Sequence, residues 1–143
     1  MKVSTKGRYA LRTMLDLAMH DRGALIPLKD ISARQGITVK YLEQVMTLLS
    51  RAGYVRSVRG AGGGYRLSRE PSEYTAGDIL RVAEGSLAPV ACLEDSVNQC
   101  PRASECPTLG FWEGLSDVVN QYVDSITLED LVHRAGDSHN FSI

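Results

Sequence analysis

The sequence predicts a mainly α protein: a winged helix-turn-helix domain with a small β-hairpin wing and a long C-terminal dimerisation helix. Three observations carry this. Residues 28–52 place apolar side chains at helical spacing, with a break at Gly36. A glycine-rich turn, Gly60 to Gly64, separates two short runs that suit strands. A single apolar stripe then recurs every three or four residues from Leu109 to Ile126.

The first helix is expected from about Thr5 to Met19. Tyr9, Leu11, Met14, Leu15, Leu17 and Ala18 give it more than one apolar face, so it should be well buried. Lys2, Lys6, Arg8 and Arg12 make its start basic. Cations there oppose the helix dipole, so an external anion such as a phosphate is an expected partner. Asp21-Arg22-Gly23-Ala24 reads as a turn, and Ile26-Pro27 as a short extended piece. The next helix is Leu28 to Gln35. Gly36 breaks it, and Ile37 plugs the space between helices. Thr38 suits an N-cap, because its hydroxyl can accept from an orphan amide. The second helix of the pair, Val39 to Ala52, buries Leu42, Val45, Met46 and Leu49, and Gly53 supplies a left-handed stop. Helix, tight turn, helix is the helix-turn-helix arrangement. Tyr54 to Arg59 and Tyr65 to Ser68 are the strands of the wing.

Pro71 ends the wing. Thr75 caps a helix from Ala76 to Glu84, with Asp78 favouring its dipole. Its Ile79, Leu80, Val82 and Ala83 are expected to pack on the preceding helices, and Gly85 stops it. Residues 89–107 lack periodicity. Thr108 then caps a helix from Leu109 to Ser125 or Ile126, roughly 26 Å long at about 1.5 Å per residue. One apolar stripe that long suits a twin helix in a two-fold dimer. Thr127 caps a short helix, Leu128 to Arg134, which Gly136 ends. The organisation is thus a DNA-binding domain over 1–86, a cysteine loop over 87–107, dimerisation and C-terminal helices over 108–136, and a frayed tail over 137–143.

Composition narrows the function. The net charge of −1 conceals an asymmetry. Residues 1–70 hold 13 basic against 5 acidic side chains, a balance of +8; residues 71–143 hold 3 against 12, a balance of −9. A basic helix-turn-helix suits a polyanion, because each phosphate contact releases condensed counterions. The 43% apolar fraction supports an ordinary core. No apolar run approaches the roughly 20 residues of a membrane span, and no signal-peptide pattern follows the basic start. A cytoplasmic location without membrane partners is expected.

The face of the second helix outside its apolar stripe should carry Lys40, Tyr41, Glu43, Gln44 and Thr47. They cluster toward the N-terminal turns, which reach base edges in a recognition helix. Gln44 suits adenine and Glu43 suits cytosine. Lys40 and Tyr41 suit phosphates, which fix register; Lys29 on the preceding helix and Thr38 at the cap are further DNA-binding candidates. The wing adds Arg56, Arg59 and Arg66. Arg59 and Gly60 sit at the turn, where a long side chain can enter a minor groove. A nucleotide phosphate loop is the poorer reading of these glycines, since no Gly-Lys-Ser/Thr follows and a strand rather than a helix comes next.

All three cysteines, Cys92, Cys100 and Cys106, lie in the unpatterned stretch, with seven and five residues between them. An odd number in a reducing compartment argues against a disulfide framework. Three thiols on one loop suit a soft metal centre. An iron–sulfur cluster is the leading reading. Zinc is the rival, although no closely spaced cysteine pair is present, and redox-reactive or merely buried thiols are the remainder. No Cys-x-x-Cys or adjacent Cys-His pair supports a thiol enzyme, so no catalytic residue is expected.

These pieces resemble a known family. Met1 to Arg12, Tyr41-Leu42-Glu43-Gln44, Leu49 with Ala52-Gly53, Val58-Arg59-Gly60 with Gly62-Gly63-Gly64-Tyr65, and the three cysteines before Phe111-Trp112 occur in order. The chain resembles the bacterial winged helix-turn-helix regulators grouped with the iron–sulfur regulator IscR, the nitric-oxide-responsive repressor NsrR and the cysteine-metabolism repressor CymR. The resemblance implies a homodimer crossed by its long helices, a palindromic double-stranded operator, and a cluster loop, with a 2Fe–2S centre ahead of a 4Fe–4S one. Glu43 and Arg59 match positions used for base-edge and minor-groove contacts in the IscR branch. Two departures stand out. The histidine that completes the cluster in that branch is Leu109 here, and the acidic residue used in the NsrR branch is Arg8. Glu105, Glu113, His20, His133, His139, a thiol or water are the alternatives for a fourth ligand. CymR-like members lack the cysteine trio. The expected function is a cluster-switched transcriptional regulator, acting as a repressor; a cluster-free or zinc-binding regulator of sulfur metabolism working through a protein partner is the alternative.

Overall fold

The computed structural model describes residues 2–141, and their side chains as far as residue 136. The elements are α1 (Thr5–Met19), α2 (Leu28–Gln35), α3 (Val39–Arg51), β1 (Val55–Val58), β2 (Gly64–Leu67), α4 (Ala76–Glu84), α5 (Leu109–Ser125) and α6 (Leu128–Phe141). Short 3-10 turns occupy Pro71–Glu73, Ala91–Leu93 and Ala103–Glu105. The mainly α winged helix-turn-helix is thus observed.

Apolar spacing explains the core. Ala10, Met14 and Leu17 of α1 meet Ile31 of α2 and Leu42, Val45, Met46 and Leu49 of α3; Val55, Leu67, Ile79 and Leu128 close the cluster. Ile37 is buried between the paired helices as its position required. Gly36 and Gly53 turn the chain with φ of 66° and 75°. The hairpin is antiparallel, pairing Val55 with Leu67 and Val58 with Gly64. Ile26 and Tyr65 exchange two backbone hydrogen bonds of 2.8 Å, which seats the wing on the segment before α2. A Cβ on Gly64 would lie 2.6 Å from the Ile26 carbonyl, so this close approach needs glycine.

Polar clamps fix how these elements sit. Asp16, fully buried among the apolar residues of α1, receives the Arg34 guanidinium at 2.7 and 3.0 Å and the Gln35 amide at 2.8 Å. This locks α1 to α2. Nothing in the periodicity predicted it; the signal was an acid inside an apolar stripe. Glu84, the last residue of α4, accepts from Ser4 N–H at 2.8 Å, Ser4 Oγ–H at 2.6 Å and Gly7 N–H at 3.1 Å. Two of the orphan amides at the start of α1, those of Ser4 and Gly7, are therefore satisfied by an internal carboxylate. This carboxylate thus shares the start of α1 with the basic side chains from which an external phosphate was expected.

Caps also divide. Thr38 accepts from Tyr41 N–H at 3.2 Å, and Thr75–Asp78 and Thr127–Asp130 form reciprocal pairs. Thr108 makes no side-chain cap to α5. Its hydroxyl lies 3.5 Å from Cys106 Sγ instead. Gly136 does not end α6, which continues to Phe141. A stop requires the left-handed conformation, which Gly136 does not adopt, and an interior glycine costs a helix only about 1 kcal/mol. The tail expected from 137 is therefore helical as far as Phe141, and residues 142–143 lie outside the described residues.

Arg81 joins α4 to α5. Its guanidinium donates to Asp124 at 2.7 and 2.9 Å and to Asn120 Oδ1 at 3.0 Å. The hydrogen bonds from Arg81 hold the Asp124 carboxyl below the usual carboxylate range. A depressed acid stabilises the fold above its unfolded pKa of about 3.9, and the contribution disappears as pH falls through its folded value. Melting temperature should therefore drop below about pH 4 in the wild type, and Asp124→Asn should flatten that limb; thermal melts across this range test it. The effect is small, because Asp124 is 45% exposed.

Candidate nucleic-acid interface and cysteine loop

The hairpin and α3 make one basic face. Lys40, Glu43 and Gln44 are exposed on α3, Lys29 on α2, and Thr38 is exposed at the α3 cap. Thr47 commits its hydroxyl to the Glu43 carbonyl at 2.8 Å. Tyr41 departs from the expected open face. It is half-buried and meets the Tyr9 ring edge-on, with centroids 5.3 Å apart. An aromatic ring one turn into α3 covers the apolar flank of α1, so tertiary packing claims it.

Arg56, Arg59 and Gly60 are exposed on the wing. Arg56 and Arg66 stand opposite each other in the hairpin. Like charges so placed repel. Arg66 is relieved by Asp21, 3.7 Å away, whereas Arg56 has no acidic partner among the described residues. The strand pair therefore presents an uncompensated cation to solvent. Between the C-terminal half of α3 and the wing lies a crevice of about 520 Å3. Thr47, Ser50, Arg51, Ser57 and Arg59 are among its lining side chains.

The cysteines sit on the connection from α4 to α5. Cys92 is half-buried in the turn Ala91–Leu93, Cys100 is exposed, and Cys106 is half-buried just before α5. All three are free thiols. The Cys100 N–H donates to Asn98 Oδ1 at 2.8 Å. The Thr108 hydroxyl, then the Thr108 and Leu109 amides, hold the Cys106 thiol below its ordinary pKa. These contacts shift Cys106 toward its thiolate form. Among the described residues, no three His, Cys, Asp or Glu side chains converge to hold one metal ion. The loop thus carries the donors without gathering them.

The suggested fourth ligands are dispersed. His20 ends α1, its Nδ1 lying 2.9 Å from the Asp16 carbonyl oxygen. His133 is exposed on α6, and the His139 side chain lies outside the described residues. Glu105 and Glu113 are exposed, in the turn before Cys106 and on α5.

An exposed reading helix, an arginine-bearing wing and a basic face define a winged helix-turn-helix DNA-binding regulator rather than an enzyme. The sequence profile of Rrf2, described as an iron-dependent transcriptional regulator, matches residues 3–134. The transcriptional regulator IscR of Vibrio atlanticus is 41% identical over 132 residues, covering 92% of this chain and 75% of that protein. Protein rrf2 of Nitratidesulfovibrio vulgaris is 39% identical over 135 residues, covering 94% and 89%. Among solved structures, T. potens IscR is 41% identical with a TM-score of 0.77, covering 96% of this chain and 90% of that one. CymR, the global cysteine regulator of B. subtilis, is 40% identical with a TM-score of 0.76, covering 94% and 98%. The chain belongs to the Rrf2 family of transcriptional regulators.

Proposed function

We propose that the protein is a homodimeric repressor that reads a palindromic operator, its affinity set by an iron–sulfur cluster at Cys92, Cys100 and Cys106. The observation that carries this reading is the position of the three free thiols. They lie on one loop joining α4, which is packed into the DNA-binding head, to α5. Their chemistry fits a soft, thiolate-seeking centre. Bound there, a cluster supplies a group whose charge and integrity respond to iron and oxidants. The chain's own part is to draw the loop together around the ligand and shift the α4 end, where Glu84 holds α1. A 2Fe–2S centre is the favoured type; Leu109 and Arg8 at the family's ligand positions leave its fourth ligand to another group.

Dimerisation through α5 is supported by its surface. Phe111, Val118 and Tyr122 are 66%, 62% and 58% exposed. An apolar groove of about 370 Å3 runs between Val118–Val119, Tyr122–Val123, Leu80, Leu87 and Val3. A twin helix on that stripe would place two reading heads on one two-fold axis, which a palindrome matches. No helix among the described residues is long and apolar enough to cross a membrane, and the proposed place of action is the cytoplasm.

At the reading head, Glu43 and Gln44 contact base edges, Lys29, Thr38 and Lys40 hold the backbone, and Arg56, Arg59 and Gly60 bring the wing to the adjoining groove. Arg59→Ala should weaken binding to a duplex selected by the wild type roughly tenfold and shallow the salt dependence. Electrophoretic shifts at several salt concentrations measure both. Equal affinity at every salt level would remove Arg59 from the interface.

A second reading rests on the ungathered thiols and the likeness to CymR. The chain would then be a cluster-free or zinc-binding regulator of sulfur metabolism that acts with a protein partner. Iron and acid-labile sulfide analysis of anaerobically purified protein separates the two.

A further inference from the structure

Tyr74 is fully buried, yet it lies outside both the reading face and the cysteine loop. Its hydroxyl serves three backbone groups. It donates to the Tyr54 carbonyl at 2.7 Å and accepts from the Ser68 and Arg69 amides at 3.1 and 3.0 Å. Tyr54 immediately precedes β1, and Ser68 immediately follows β2. One oxygen therefore ties both feet of the wing. The Tyr54 and Tyr74 rings meet edge-on at 5.4 Å, and the Arg69 guanidinium lies over both, at 5.3 and 5.7 Å. Burial pushes the Tyr74 phenol above its ordinary pKa, so it remains a donor at neutral pH.

The backbone of the same residue faces the C-terminal helices. Leu128 N–H donates to the Tyr74 carbonyl at 2.9 Å, and Ala76 N–H donates to the Ile126 carbonyl at 2.8 Å. Thr75 and Thr127 form a bridge between these bonds. Residues 74–76 are therefore held to the α5–α6 corner on one side and to the wing on the other. A buried hydroxyl with three short bonds has one geometry in which all are kept, so a turn of this corner carries the hairpin feet with it.

We propose that Tyr74 is a positioning residue for the wing: its hydroxyl fixes the angle at which the hairpin presents Arg59 to DNA, and its backbone links that angle to the α5–α6 corner. This inference rests on the proposed role of Arg59 in minor-groove reading. Tyr74→Phe keeps the ring and its stacking while removing the hydroxyl. The Ser68 amide keeps its direct 3.2 Å bond to the Tyr54 carbonyl, and Ile26 still pairs with Tyr65. The Arg69 amide loses its partner and neither foot is anchored to residue 74, so the base of the hairpin loosens.

The test uses the full chain. Amide hydrogen exchange of the free protein reports the wing without DNA. Exchange over residues 55–67 should accelerate at least about tenfold in Tyr74→Phe, while α1 and α2 stay protected. On a duplex selected by the wild type from a randomised pool, Tyr74→Phe should bind roughly five- to tenfold more weakly. Added to Arg59→Ala it should cost almost nothing further, because the wing's contact is already gone. A general loss of stability would instead weaken both backgrounds equally. Unaltered exchange in the wing, or fully additive losses in the double variant, would overturn the proposal. An Arg59→Ala protein that binds like wild type while wing exchange still accelerates in Tyr74→Phe would keep the positioning and reject the minor-groove role.

Discussion

Alanine at any one of Cys92, Cys100 or Cys106 should leave the anaerobically purified protein without visible absorbance, whereas the wild type should be brown. Each thiol lies on the same connection and none is bridged. A cluster gripped by three thiolates cannot spare one, because the sequence holds no fourth cysteine to replace it. Loss of colour should be accompanied by loss of switching. In the wild type, loading should alter operator affinity by roughly five- to 150-fold, the range of typical coupling energies of about 1–3 kcal/mol. In each variant, affinity should be fixed at one value. Iron, sulfide and absorbance measured on the same preparations decide the matter. A colourless wild type with stoichiometric zinc would transfer these three residues to the rival reading and leave the DNA-binding face untouched.

Much of the architecture could be read in advance because it follows local rules. Thr38, Gly36 and Gly53 mark α3 by capping and by the left-handed turn, and the stripe from Leu42 to Leu49 faces the core as spacing requires. The exposed Lys40, Glu43, Gln44, Arg56 and Arg59 were legible for the same reason: they are what remains once the apolar positions are assigned. What escaped were long-range polar bonds. Glu84 reaches Ser4 across 80 residues of sequence, and Arg81 reaches Asp124 across 43. Neither has a periodic signature. Tyr41 reads as exposed by helical position, but Tyr9 lies where only the tertiary fold puts it. Gly136 reads as a stop by composition, but a stop is a conformation, and α6 continues through it.

The Asp16 clamp carries the largest effect expected on stability. Its carboxylate has no solvent exposure and binds Arg34 through two bonds and Gln35 through a third. Arg12 in turn holds Gln35 by its side chain and its backbone carbonyl. Breaking a buried charge pair typically costs about 3–5 kcal/mol, because the remaining charge loses its partner. Arg34 is 34% exposed and can turn partly to water, which places Asp16→Ala near the lower limit, about 3 kcal/mol. For a chain of this size the melting temperature should fall by roughly 10 °C. Asp16→Leu alone should be comparably harmful, since it too strands the guanidinium. Combining Asp16→Leu with Arg34→Met should recover most of the loss, because two well-packed apolar groups carry no desolvation penalty. The same double variant should still bind operator more weakly than wild type. The bonds that aim α2, and through Ile37 and Thr38 the reading helix α3, are specific in direction, whereas apolar contact is not. A single Asp16→Ala variant that melts within about 2 °C of wild type would show that α1 and α2 are held by their apolar faces alone.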